Sequence, residues 1–80
     1  MVEFNKFSAG NVIKNLRADR GISQEILSGL AGIGRSHLAM IESGKKQPNF
    51  ETIWKIANAL EMPVYKLVKL IEEDAKSKNV

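Results

Sequence analysis

Apolar residues recur along this chain at spacings of three and four and never alternate over a usable stretch, the pattern of amphipathic helices rather than strands. Ala9, Val12, Ile13 and Leu16 form the first stripe, and Gly21 follows it as a stop signal, so a helix is predicted over residues 8–20. Ser23 is suited to cap a short second helix, Gln24–Ala31, with Leu27 and Ala31 on its inner face and Gly32 at its end. A third helix covers residues 35–42 and stops at Gly44. After the basic loop Lys45-Lys46-Gln47-Pro48, Asn49 can cap a fourth helix with the stripe Phe50, Ile53, Trp54, Ala57 and Leu60. Pro63, tolerated at a helix start, opens a fifth with Val64, Leu67, Val68, Ile71 and Ala75 inward. The expectation is one all-α, five-helix domain over residues 1–80, with an arm at 1–7 and a frayed tail at 77–80.

Residues 23–49 are the informative stretch, with a helix-turn-helix over residues 24–42. Two helices of eight residues separated only by Gly32-Ile33-Gly34 must cross steeply, and Gly32 permits the left-handed backbone that so sharp a turn demands. Leu27 and Ala31 then meet Leu38 and Ile41, and the opposite face of the third helix projects outward. At about 100° per residue, Ser36, Ala39 and Met40 lie opposite Leu38 and Ile41, with Arg35 at one edge and His37 at the other. A helix of this width fits the major groove, where its early residues reach base edges.

Charge supports such a partner by its distribution more than by its total. The net charge is +3, and residues 6–55 carry eight basic side chains against four acidic ones, whereas residues 56–80 are balanced. The excess therefore lies in the part that holds the helix pair, as a polyanion-binding face requires. With no cysteine, neither a disulfide nor a thiolate metal site supplements a core that is thin at this length. Residues 1–10 include Glu3 and Lys6 and do not fit a signal peptide, and no apolar run approaches a membrane span, so a soluble, cytoplasmic protein is expected. No acid/base pair, phosphate-cradling glycine loop or activated nucleophile stands out, so the chain is not expected to be an enzyme.

The pattern resembles the Xre/Cro-type helix-turn-helix family, which includes lambdoid phage repressors and restriction–modification controller proteins. The likeness covers residues 9–70 and rests on Leu16-Arg17, Gly21, Ser23-Gln24-Glu25, Leu27, Gly32, Leu38, Ile41-Glu42, Gly44-Lys45, Pro48, Ile56-Ala57 and Leu60 in register. It implies a lambda-repressor-like fold and a transcriptional regulator that binds double-stranded DNA as a homodimer on a palindromic operator. No cofactor, metal, membrane or small-molecule ligand is implied. Base contacts are expected from Gly34, Arg35, Ser36, Ala39 and Met40, and phosphate contacts from Ser23, Gln24, His37, Lys45, Lys46 and Asn49. Arg17 and Glu42 match the family's structural ion pair, which ties the first helix to the end of the third. For the dimer interface the candidates are Met62, Tyr65, Lys69 and Leu70, because Val64, Leu67, Val68 and Ile71 already suffice for the core.

The chain also departs from the family. Gly34 stands where serine or threonine usually caps the recognition helix, Ala39 and Met40 where polar or basic residues are frequent, and Ser28 where a small alanine is common. The Ser28 hydroxyl then needs a backbone partner. Ile26 and Leu30 sit where the family carries charge; either the Phe4/Phe7 arm or the core edge covers them, or they form a surface for another protein. The rival to the DNA-binding reading is accordingly an antitoxin or other interaction module whose main partner is a polypeptide. Trp54 reads as core or interface, and Glu72, Glu73 and Asp74 as a solvated helix end.

Overall fold

The computed structural model describes residues 1–78; residues 79 and 80, part of the expected frayed tail, lie outside the described residues. Five helices follow one another: α1 Ser8–Asp19, α2 Gln24–Ala31, α3 Arg35–Glu42, α4 Phe50–Ala59 and α5 Val64–Ser77. Ser77 is thus the last helical residue and not part of a tail, and Pro63 is the extended residue before α5.

Each boundary has a local cause. The Ser23 hydroxyl accepts from the Ile26 amide at 3.1 Å and the Asn49 side chain from the Thr52 amide at 2.8 Å, capping α2 and α4. Gly32 takes φ +71 and lets the Ile33 amide reach back to the Ser28 carbonyl at 3.0 Å, which closes α2 and starts the sharp turn. Gly34 precedes α3 without any side-chain cap, as its missing side chain dictates. The buried Ser28 hydroxyl finds the backbone partner it needs, the Glu25 carbonyl at 3.0 Å.

Every helix contributes at least one fully buried aliphatic side chain to a common core: Ile13, Leu27, Leu38 with Ile41, Ile56, and Leu67. Gly10 is what lets α1 approach α3, because a Cβ there would collide with the Ile41 carbonyl and sit 2.9 Å from that of Glu42. No helix among the described residues is long and apolar enough to cross a membrane.

Three expectations about burial are corrected. On α4 the buried arc is centred on Ile53, Ile56 and Leu60, with Thr52 and Ala57 at its flanks. Phe50 and Trp54 fall about 90–130° round the helix from that centre and are exposed. On α5, Leu67 and Ala75 are buried while Val68 is exposed, and Leu70 packs against the core in its stead. Finally, the arm covers neither Ile26 nor Leu30, which stay 51% and 64% exposed on α2. It runs instead beside α1 and α5, where Val2, Phe4, Val68 and Ile71 line an apolar cavity of about 260 Å³.

Candidate nucleic-acid interface

The outward face of α3 follows from its inward one. With Leu38 and Ile41 almost wholly buried, Arg35, Ser36 and Met40 are exposed, Gly34 is exposed at the helix entrance, and Ala39 and His37 are half-buried. The loop after α3 leaves Lys45 and Lys46 exposed, while their amides both bond to the Met40 carbonyl, at 3.0 and 3.2 Å. The loop is therefore fixed to the end of the helix. Among the described residues neither Arg35, Lys45 nor Lys46 is in an ion pair.

Behind this face lies a polar lock. Arg17 grips Glu42 with a two-pronged fork, Nε to Oε2 at 2.8 Å and Nη2 to Oε1 at 3.0 Å, and its Nη1 donates to the Ile22 carbonyl at 2.9 Å. The Glu42 side chain is only 3% exposed. Hydrogen bonding to Glu42 holds the Arg17 pKa above its already high ordinary value, outweighing the opposing effect of desolvation, and the Glu42 charge adds to the rise. A raised pKa stabilises below the unfolded value and is lost only as pH climbs through the folded one, so Arg17 stays charged throughout the ordinary working range.

Gln24 belongs to the same lock. Its Nε2 donates to Glu42 Oε1 at 3.0 Å, so one amide hydrogen of an expected phosphate contact is engaged internally. Ser23 and Asn49 likewise use their side-chain oxygens as caps, leaving the Ser23 hydroxyl proton and the Asn49 amide as their donors. Of the dimer candidates, Tyr65 and Lys69 are exposed, whereas Met62 and Leu70 pack partly against the core.

Several contributors were not legible as such in the sequence. Phe7 rests against Gly44, where a Cβ would strike its ring, and the Gln47 Nε2 donates to the Lys6 carbonyl at 2.7 Å, so the arm is fastened to the loop after α3. Gly10 alone carries a signal in the sequence, since a glycine inside a helix weakens it unless close packing requires it. Among the described residues no group of three or more His, Cys, Asp or Glu side chains is placed to hold a metal ion.

The helix-turn-helix pattern HTH_3 matches residues 13–67, which embrace α2, α3, the loop and α4 entire. The chain belongs to the HTH_3 helix-turn-helix family. It is similar to the cryptic phage CTXphi transcriptional repressor RstR of Vibrio cholerae, 33% identical over 70 residues, covering 82% of this chain and 63% of RstR. It is also similar to the HTH-type transcriptional regulator SutR of Escherichia coli, 37% identical over 51 residues, covering 64% of this chain but 29% of SutR. The chain thus spans less than two thirds of the length of either regulator. Among solved structures, the restriction–modification controller protein C.AhdI of Aeromonas hydrophila superposes with TM-score 0.74 at 32% identity, covering 78% of this chain and 94% of C.AhdI. The clp gene regulator ClgR of Corynebacterium glutamicum shares the fold with TM-score 0.86 at 18% identity, over 99% of this chain and 84% of ClgR.

Proposed function

We propose that this helix-turn-helix protein is a cytoplasmic transcriptional regulator that binds a palindromic DNA operator as a homodimer, with α3 in the major groove. The observation that carries the reading is the split of α3. Leu38 and Ile41 anchor it in the core, and its free face presents Arg35, Ser36 and Met40 beside two lysines that, among the described residues, are in no ion pair. In this reading Arg35 and Ser36 read base edges, Gly34 and Ala39 allow close approach, and Met40 meets thymine methyls. Lys45, Lys46, His37 and the polar groups at the starts of α2 and α4 hold phosphates. The names of the similar proteins, a phage repressor and a restriction–modification controller, support regulation as the role.

For the second copy, the exposed apolar surface favours Tyr65 joined by Phe50, Trp54 and Val68. These side chains and Val64 line a groove of about 590 Å³ between α4 and α5. A two-fold contact there would set two recognition helices on one face of the duplex, about 34 Å apart for half-sites one turn apart. Selection of bound sequences from random duplex DNA tests the whole reading: it should enrich an inverted repeat, and enrichment of nothing would overturn it.

The exposure of Ile26 and Leu30 favours a second reading, in which another polypeptide docks on α2. The double variant Ile26→Ser/Leu30→Ser separates the two. Unchanged operator binding with lost regulation would favour the second; unchanged binding and regulation would favour the first.

A further inference from the structure

Lys6 stands in the N-terminal arm, far in sequence from the loop that follows α3, yet two contacts between arm and loop, and a third within the arm, place it beside that loop. The Gln47 side-chain amide donates to the Lys6 carbonyl at 2.7 Å across 41 residues of sequence. The Phe7 ring lies against Gly44, whose φ of +81 and lack of a Cβ make room for it. The Lys6 ammonium sits 5.2 Å from the centroid of that same ring, within the range of a cation–π contact. An Asx turn, with the Phe7 amide donating to Asn5 Oδ1 at 2.8 Å, shapes the arm so that it reaches this place.

The result is that the arm carrying Lys6 is fastened to the loop carrying Lys45 and Lys46, at the end of the recognition helix. All three lysines are exposed and, among the described residues, none is in an ion pair. Like charges brought together repel, so a solvated cluster gains nothing from the pinning contacts. A polyanion reverses the sign of that balance. Each strand of duplex DNA offers one phosphate per 3.4 Å or so of helix axis, a row of anions that several lysines can meet at once.

We infer that Lys6 is a DNA phosphate contact, held in register with Lys45 and Lys46 by Gln47 and Phe7. The inference rests on the proposed DNA-binding function and adds the arm to it. Gln47 and Phe7 act as positioning residues, and the arm is part of the interface.

The test is the dependence of log affinity on log salt, measured with the full chain on its selected duplex and on a scrambled one. Lys6→Ala should reduce the slope by about 0.9, the loss of one phosphate contact, on both duplexes alike, leaving base preference and the unfolding midpoint unchanged. Lys6→Arg should keep the wild-type slope. In a Gln47→Ala background, Lys6→Ala should change the slope by less than half as much, because the arm is already released. If the Lys6→Ala slope equals wild type while Lys46→Ala lowers it, the arm makes no contact, and the proposed function survives without it. Full additivity of Lys6→Ala and Gln47→Ala would overturn the positioning role. A wild-type chain that binds no duplex would overturn both the parent reading and this one.

Discussion

The two exposed surfaces of this small fold are built on opposite principles. On α3 Leu38 and Ile41 turn inward, and what remains outside is Arg35, Ser36 and Met40, flanked by Lys45 and Lys46. Across α4 and α5 the chain carries more large apolar groups than the core accepts, leaving Phe50 66% and Tyr65 74% exposed with Trp54 and Val68 between them. Phe50 and Trp54 meet edge to face at 5.8 Å between ring centroids, so the surplus is already organised into a patch. The difference indicates the kind of partner each surface suits. Unpaired cations call for an anion, and clustered aromatics call for another protein surface.

Beneath these faces the two regions also differ in what holds them. The α1–α3 junction depends on a polar lock, whereas the α4–α5 patch is joined only by apolar contacts such as that of Phe50 with Trp54. The largest expected effect follows from this. Removing one partner of a largely buried ion pair costs about 3–5 kcal/mol, so Arg17→Met and Glu42→Gln should each lower the unfolding midpoint by more than about 10 °C in a domain of this size. Glu42→Gln is the sharper test, because it keeps the shape while removing the charge. Thermal denaturation of both would contradict the account if the midpoints stayed within a degree of wild type.

Next in size is the close crossing of α1 and α3. Gly10→Ala places a methyl group against two backbone carbonyls that cannot swing aside. Overpacking of this kind costs about 1–3 kcal/mol, read as a lower denaturant midpoint with an unchanged slope. An unchanged midpoint would mean that the helices can separate freely at this point.

Trp54→Ser and Tyr65→Ser should act in the opposite way, leaving the fold and removing the partner. Each should weaken self-association at least tenfold in sedimentation at micromolar concentration while moving the unfolding midpoint of the monomer by no more than a few degrees. A self-association constant unaffected by both would place the second copy elsewhere. The smallest effect belongs to the turn between the last two helices, where Glu61 holds φ +56. Releasing a non-glycine residue from the left-handed region gains about 1–2 kcal/mol, which the greater unfolded-state entropy of glycine partly offsets. Glu61→Gly should therefore stabilise by about 0.5 kcal/mol, and a lower midpoint would show that the strain lies elsewhere.

How far the sequence revealed all this depends on the kind of interaction. The five helices were legible because their stop and start signals are local: Ser23, Gly32, Gly44 and Asn49 act on the amides and carbonyls within a few residues of themselves. The inward face of α3 was legible because Leu38 and Ile41 alone define it. The inward faces of α4 and α5 were not, since apolar character does not distinguish a core position from an unpartnered one. Phe50 and Trp54 read as core by type, yet the arc set by Ile53, Ile56 and Leu60 turns them outward. Nor was the course of the arm legible. It follows from a glycine, Gly44, accommodating a phenylalanine 37 residues away, and no periodicity encodes a contact of that kind.

The central claim, that the charged face reads sequence through Arg35 while the lysines beside it hold phosphate, is tested most directly by comparing Arg35→Ala with Lys46→Ala. Binding would be measured on a selected operator and its single-base variants at several salt concentrations. An arginine on guanine O6 and N7 contributes roughly 1–3 kcal/mol of discrimination. Arg35→Ala should therefore abolish preference at one guanine in each half-site and leave weak, salt-sensitive binding. Lys46→Ala should weaken binding to every duplex alike and lower the slope of log affinity against log salt by about one. A uniform loss of affinity in Arg35→Ala, with base preference intact, would contradict the account and make Arg35 one more phosphate contact.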